Sequence, residues 1–242
     1  MPLLNGHKGA IQDIEFSPFH DNCLATASAD GTVKIWMIPE GGLKETITNC
    51  DADLKGHSKK VMLLKWHPTA EFTLGSTSMD GAVKIWDVQS ESSVYSYDNL
   101  NEVPWAMTWN YDGSQLGVIT KERKMHIFDP RQMEAAMITK AHEGSKAQRL
   151  TWLGDSSKIL TQGWSAFNER QYAVYDTRNI DTPLTIKKLD NNNLQAWIHF
   201  DDASNVLYVI NKGATFTQFF YLHHAGSDGL PNLQLIDQYK GL

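Results

Sequence analysis

Five histidines and a few charged residues are the side chains in this sequence whose type and spacing could do chemistry. His7, His57 and His142 each stand at the start of a strand-like stretch, where an imidazole could act as a metal ligand or general base. His223 and His224 form a tandem pair, but neighbours on a strand point to opposite faces and chelate poorly, so a surface loop is the expected place for them. Glu169-Arg170 lacks a nucleophile with a base at readable spacing, and no enzymatic activity is expected. Gly41-Gly42 is not followed by Gly-Lys-Ser/Thr, so it reads as a connection rather than a phosphate loop. Cys23 and Cys50 are too few for a disulfide framework and lack metal-ligand spacing; the reading is of no metal, no cofactor and a reducing cytoplasm.

The elements that position these residues are repeats. Residues 6–36 and 56–86 match at an offset of fifty: Gly6-His7 with Gly56-His57, Asp30-Gly31 with Asp80-Gly81, Trp36 with Trp86. Each unit breaks into short strand-like runs, Ile11 to Phe16, Cys23 to Ser28 and Val33 to Trp36 in the first, separated by Ser17-Pro18 and Asp30-Gly31 turns. In the first run Ile14 and Phe16 alternate with Asp13 and Glu15, which predicts a strand burying its apolar face. Weaker copies follow: Trp109, Trp152 and Phe200 stand where Phe16 and Trp66 do, and Phe128, Tyr175 and Phe220 where Trp36 and Trp86 do. The spacing is near that of propeller blades, and five are expected, over about 1–44, 45–95, 96–137, 138–184 and 185–242 of a single domain spanning 1–242.

Composition narrows the function. Lys and Arg number 22 against 28 Asp and Glu, a formal charge of −6, which disfavours a general nucleic-acid binder. No apolar run is long enough for a membrane helix, the N-terminus has no signal-peptide pattern, and no apolar heptad supplies a self-assembly element. Trp105, Trp164 and Trp197 lack interleaved basic residues and read as core or inter-blade packing, and Tyr95 and Tyr97 as outer-strand surface.

The Gly-His, Asp and Trp-Asp pattern resembles the WD40 signature, implying an all-β propeller of four-stranded antiparallel blades. In that family His7, Ser28, Asp30 and Trp36, and likewise His57, Ser78, Asp80 and Trp86, would form a hydrogen-bonded chain within each blade. Later blades depart from it: the Asp position becomes Glu122, Glu169 and Ala214, and His142 alone continues the histidine. Six further segments resemble coronins in order: Ile38 to Leu43, Gly56 to Val61, Trp66 to Ala70, Asp129-Pro130-Arg131, Ala141 to Lys146 and Asn168 to Gln171. That resemblance implies a seven-bladed fold on the actin cytoskeleton, binding filamentous actin and working with the Arp2/3 complex and cofilin. Coronins carry about one more blade before the first Gly-His and closing strands and a coiled coil after the fifth unit, so the chain reads as a fragment, poorly soluble by itself because of open sheet edges.

Propellers bind through their turns, since the sheet faces are used to pack blade on blade. The candidate actin or partner contacts are therefore the turn cations Lys59, Lys60, Lys121, Arg123, Lys146, Arg149 and Arg170. Arg149, lying inside a strand-like run, could instead pair with Glu143 or Glu169. A WD40 adaptor in vesicle traffic, with no actin affinity, is the rival reading.

Overall fold

A computed structural model describes residues 2–100, 102–132 and 135–241. The first repeat folds as strands β1 (Ile11–Phe16), β2 (Cys23–Ser28), β3 (Thr32–Met37) and β4 (Ala52–Lys55), hydrogen-bonded in that order as an antiparallel sheet. The second repeats the arrangement with β5 (Val61–Trp66), β6 (Thr73–Ser78), β7 (Val83–Asp87) and β8 (Ser92–Tyr97). A third sheet holds β9 (Pro104–Trp109), β10 (Leu116–Thr120), β11 (Lys124–Phe128) and β12 (Ala135–Lys140). The fourth is β13 (Arg149–Trp152), β14 (Lys158–Trp164), β15 (Arg170–Asp176) and β16 (Thr185–Lys188); the fifth is β17 (Ala196–Asp201), β18 (Val206–Asn211), β19 (Phe216–His223) and β20 (Asn232–Lys240). No helix occurs among the described residues.

The expected blade boundaries fall too early. β4 lies beyond residue 44, β12 runs past 137 and β16 past 184, so each fourth strand closes a blade that the repeat pattern had already ended. The cause is that the fourth strand is an outer edge with little apolar pattern, as in β8, where most side chains are exposed. Gly41-Gly42 accordingly sits in the loop between β3 and β4, inside the first blade rather than between blades.

Chain contacts gather into two units, residues 1–116 with 128–134, and 117–127 with 135–242. In the first, Ala25, Ala27, Val33 and Ile35 of the first sheet form one core with Val61, Leu64, Trp66 and Leu74 of the second. In the other, Leu160, Tyr172 and Val174 pack with Phe200, Leu207, Val209 and Phe220. Burial of each large side chain there contributes about 1.5–3 kcal/mol.

The alternation in β1 works in the opposite sense to that expected. Ile14 and Phe16 are 59% and 54% exposed. The acidic face is the one that packs: Asp13 Oδ2 accepts the Leu64 amide at 2.9 Å, and Glu15 Oε2 accepts the Trp66 amide at 2.9 Å while Oε1 pairs with Lys65 Nζ at 2.5 Å. The Trp66 indole donates to the Glu15 carbonyl at 3.1 Å, and the Trp109 indole donates likewise to the Lys65 carbonyl at 3.0 Å. Carboxylates here do the work usually left to apolar contact, because β5 presents amide donors that must be satisfied once buried.

Candidate functional site

The turn end of the first two blades is built by the Gly-His pairs. Gly6 lies under the Trp36 indole, where a Cβ would meet the ring at 2.7 Å, so only glycine lets the loop settle there. His7 Nδ1 donates to Asp30 Oδ2 at 3.1 Å, and its Nε2 accepts from Thr26 Oγ1 at 2.7 Å; that hydroxyl in turn accepts the Trp36 indole N–H at 2.9 Å. In the second blade His57, Asp80, Ser76 and Trp86 repeat this at 3.0, 2.8 and 2.7 Å.

The hydroxyl joining histidine to indole is thus Thr26 or Ser76, a correction to the expected Ser28 and Ser78. Those serines sit two residues on, at the turn, where Ser28 Oγ and Ser78 Oγ accept the amides of Asp30 and Asp80 at 3.2 Å. Both positions lie on the same face of the strand, and counting from the sequence alone does not distinguish them. Asp30 also accepts from the amides of Lys8 and Thr32 and the Thr32 hydroxyl. Burial works against its ionisation, but these donors together hold its carboxyl well below the usual range. Asp80 is lowered in the same balance, by the Ser58 and Ala82 amides and His57. Burial pushes His57 down, with Asp80 opposing.

The fourth blade keeps half of this. His142 Nε2 is 2.9 Å from Thr161 Oγ1, but Nδ1 accepts from Gln171 Nε2 at 3.0 Å, and Tyr175 donates to the Ala141 carbonyl at 2.8 Å where the indole chain would run. Burial pushes the His142 imidazole down to about 4. The reason is a longer hairpin. Thr161 pairs with Ala173, whereas Thr26 pairs with Lys34, so four more residues separate the partners and the acidic position moves out of reach. At the tip of that hairpin Phe167 is 88% exposed, a residue the sequence reading passed over because an isolated phenylalanine carries no motif.

The seven candidate cations divide. In the first unit Lys59 is exposed and Lys60 partly so, on the loop after His57; the Asp30-Gly31 turn of the neighbouring blade lies against the backbone of this loop. In the second unit Lys121 is exposed on the β10–β11 turn. Arg123 occupies the position of Gly31 and Gly81 and shares their positive φ, at +70°, while its Nη1 donates to the Glu143 carbonyl at 2.5 Å. Lys146 places Nζ 4.0 Å from the centroid of the buried Trp164 ring.

Arg149 and Arg170 differ. Arg149, half-buried, stacks over Trp197, with 5.7 Å to the ring centroid, and donates to the Gln148 carbonyl at 3.0 Å; burial lowers its pKa. The structure corrects the reading of Arg170 as a turn contact. Arg170 is 1% exposed and cannot meet a partner. Its guanidinium forms an ion pair with Asp190 and donates to the Leu194 carbonyl at 3.2 Å, Asn211 Oδ1 at 2.5 Å and Gln218 Oε1 at 3.1 Å. In β15 the residues from Tyr172 to Tyr175 are buried on both faces, and Arg170 shares one of those faces with Tyr172 and Val174. The continuous apolar run Tyr-Ala-Val-Tyr beside it is the sequence signal of a buried strand.

His223 ends strand β19 rather than lying in the expected loop, and His224 follows it; the two diverge, to Gln234 Oε1 and Asn205 Oδ1. Among the described residues no group of three or more His, Cys, Asp or Glu side chains could hold a metal ion. No helix of the described residues is long and apolar enough to cross a membrane.

Comparison with known proteins bears on the whole chain. The family description "WD domain, G-beta repeat" matches residues 2–37 and 48–87. Coronin-A of Dictyostelium discoideum is 39% identical over 240 residues, covering 99% of this chain and 53% of that protein. Coronin-2A of Mus musculus is 40% identical over 244 residues, 99% of this chain and 46% of the other. The crystal structure of the WD40 domain of Toxoplasma gondii coronin superposes with a TM-score of 0.90 at 32% identity, over 98% of this chain and 60% of that one. The chain spans about half the length of the curated relatives it matches.

Proposed function

We propose that this chain, similar to coronins over nearly its whole length, is a coronin-type WD40 protein that binds actin filaments through the cationic turns of its blades, as a scaffold without enzymatic activity. The observation that carries the reading is the placement of Lys59 and Lys60 on a loop braced by the His57–Asp80–Ser76–Trp86 chain. A lysine on a rigid turn loses less conformational freedom on meeting an acidic partner than one on a mobile loop. Lys121 and Lys146 offer charges of the same kind on the second unit. Arg170 has no part in it, and Arg123 contributes only the portion of its guanidinium not committed to Glu143. Action alongside the Arp2/3 complex and cofilin, on the cytoplasmic actin cytoskeleton, belongs to the same proposal and rests on that similarity.

The test is filament co-sedimentation at low and moderate ionic strength. Binding should weaken with salt, because exposed pairs are screened over about 10 Å at 0.1 M. Lys59→Glu with Lys60→Glu should weaken it further, and Lys121→Glu less. Absence of sedimentation by a folded parent would reject actin binding and favour the adaptor reading.

A further inference from the structure

Between the first and second blades, at the strand ends away from the Gly-His loops, lies a cavity of about 280 Å³. Ile35, Trp66, Phe72 and Val88 form its apolar wall and the Cys23 thiol lies against it; Asp51 and Glu91 stand at its mouth. The volume is below that of most sites for drug-sized ligands or cofactors and suits one large side chain with a little of its backbone. Two of its residues, Phe72 at φ +61° and Glu91 at φ +52°, hold a left-handed backbone without being glycine. For a bulky aromatic such a backbone is an outlier, and outliers of this kind gather at binding sites.

The mouth is acidic and not neutralised from within. Asp51 accepts the Met37 amide at 2.8 Å and Glu91 the Asp53 amide at 3.0 Å, but neither makes an ion pair among the described residues. The nearby Lys34 and Lys55 both go to Asp53, at 2.8 and 2.9 Å. His20 is held by Glu71 at 2.6 Å. An occupant must therefore be apolar at one end and basic at the other.

We propose that this pocket docks a short peptide segment, seating one large apolar side chain against Trp66, Phe72 and Val88 and setting an adjacent lysine or arginine against Asp51 and Glu91. The site is at the opposite strand ends from the cationic turns and does not depend on filament binding. Apolar burial supplies the anchor and the carboxylates supply the preference for a basic neighbour.

Cys23 provides the readout, since the chain has two cysteines and Cys50→Ser leaves one. Burial and the Asp51 charge push the Cys23 thiol up, so alkylation is followed at mildly alkaline pH in the full chain. The probes are the terminally blocked dipeptides Ac-Leu-Arg-NH2, Ac-Leu-Glu-NH2 and Ac-Ser-Arg-NH2 at millimolar concentration. The first should slow labelling several-fold and the other two little. Asp51→Asn with Glu91→Gln, in the Cys50→Ser background, should remove the difference between the arginine and glutamate peptides while leaving the melting temperature near that of the parent. Equal slowing by both leucine peptides, discrimination that survives the double substitution, or no slowing by any peptide would overturn the proposal.

Discussion

Two blades at one end of the sequence and two at the other solve the same problem with different chemistry. In the first and second, a histidine, a hydroxyl and an indole form a chain in which each buried donor meets an acceptor, with an aspartate at the turn as the outer member. In the fourth and fifth, the central element is a buried cation: Arg170 reaches from β15 to Asp190, to the Leu194 carbonyl and to Asn211 and Gln218 of the fifth sheet. The first arrangement stays within a blade, whereas the second joins two. The histidine chain braces each blade from within, and the carboxylates of β1 do the joining there; in the fourth and fifth blades one buried charge does the joining.

That contrast is most readily broken at Arg170. Arg170→Ala should destabilise the chain by about 3–5 kcal/mol, because Asp190 would keep a partly buried charge without its partner. Arg170→Met with Asp190→Leu should recover much of this, since an apolar pair of similar volume carries no desolvation cost. Chemical denaturation of the three proteins measures both.

Acid should find the histidine chains next. His142 is held down to about 4, against about 6.5 in an unfolded chain, so the folded state binds fewer protons between those values. Its contribution is present above pH 6.5 and falls by about 3 kcal/mol by pH 4. Asp30 and Asp80, being lowered, contribute above the ordinary carboxylate range and lose that contribution only as pH drops below about 4. Denaturation followed from pH 7 downward should show a first loss, shared with the lowered His57, His67 and His126, that His142→Gln reduces, and a later one that it leaves in place.

Smaller effects sharpen the picture of the first blade. Thr26→Val leaves the Trp36 indole and His7 Nε2 without their shared partner and should cost about 1–3 kcal/mol. Ser28→Ala removes one acceptor at a turn and should cost about 1 kcal/mol. The reverse order would return the bridging role to Ser28. Lys59→Glu should change stability by no more than about 0.5 kcal/mol, whatever it does to filament binding.

Sequence made the fold legible wherever a residue type had one structural use. Gly6 beneath an indole, Asp30 at a turn and Trp36 at a strand end admit few substitutes, and the strands between them followed to within a residue. Legibility failed where one pattern had two physical outcomes. Alternation in β1 is the same whether Ile14 or Glu15 faces the next blade, and only the amides of β5 decide it. Thr26 and Ser28 are both hydroxyls on one face, so the bridge could not be assigned from spacing. Arg170 reads as a turn charge from sequence because its partners lie 20 to 48 residues away, too far for local spacing to reveal them. Outer strands such as β8 bury too little to leave a pattern, which moved every blade boundary. Positive charge on Lys59, Lys60 and Lys121 was visible as charge; what it meets is a matter for the filament experiment.

The carboxylates of Asp13 and Glu15 also make the first two blades observable in motion. The Leu64 and Trp66 amides belong to a strand with no hydrogen-bonded neighbour on its inner side, and their acceptors come from another blade. Their protection from hydrogen exchange therefore lasts only while the two blades stay together. If these two amides exchange faster than the other protected amides of β5, the blades part before either sheet unravels.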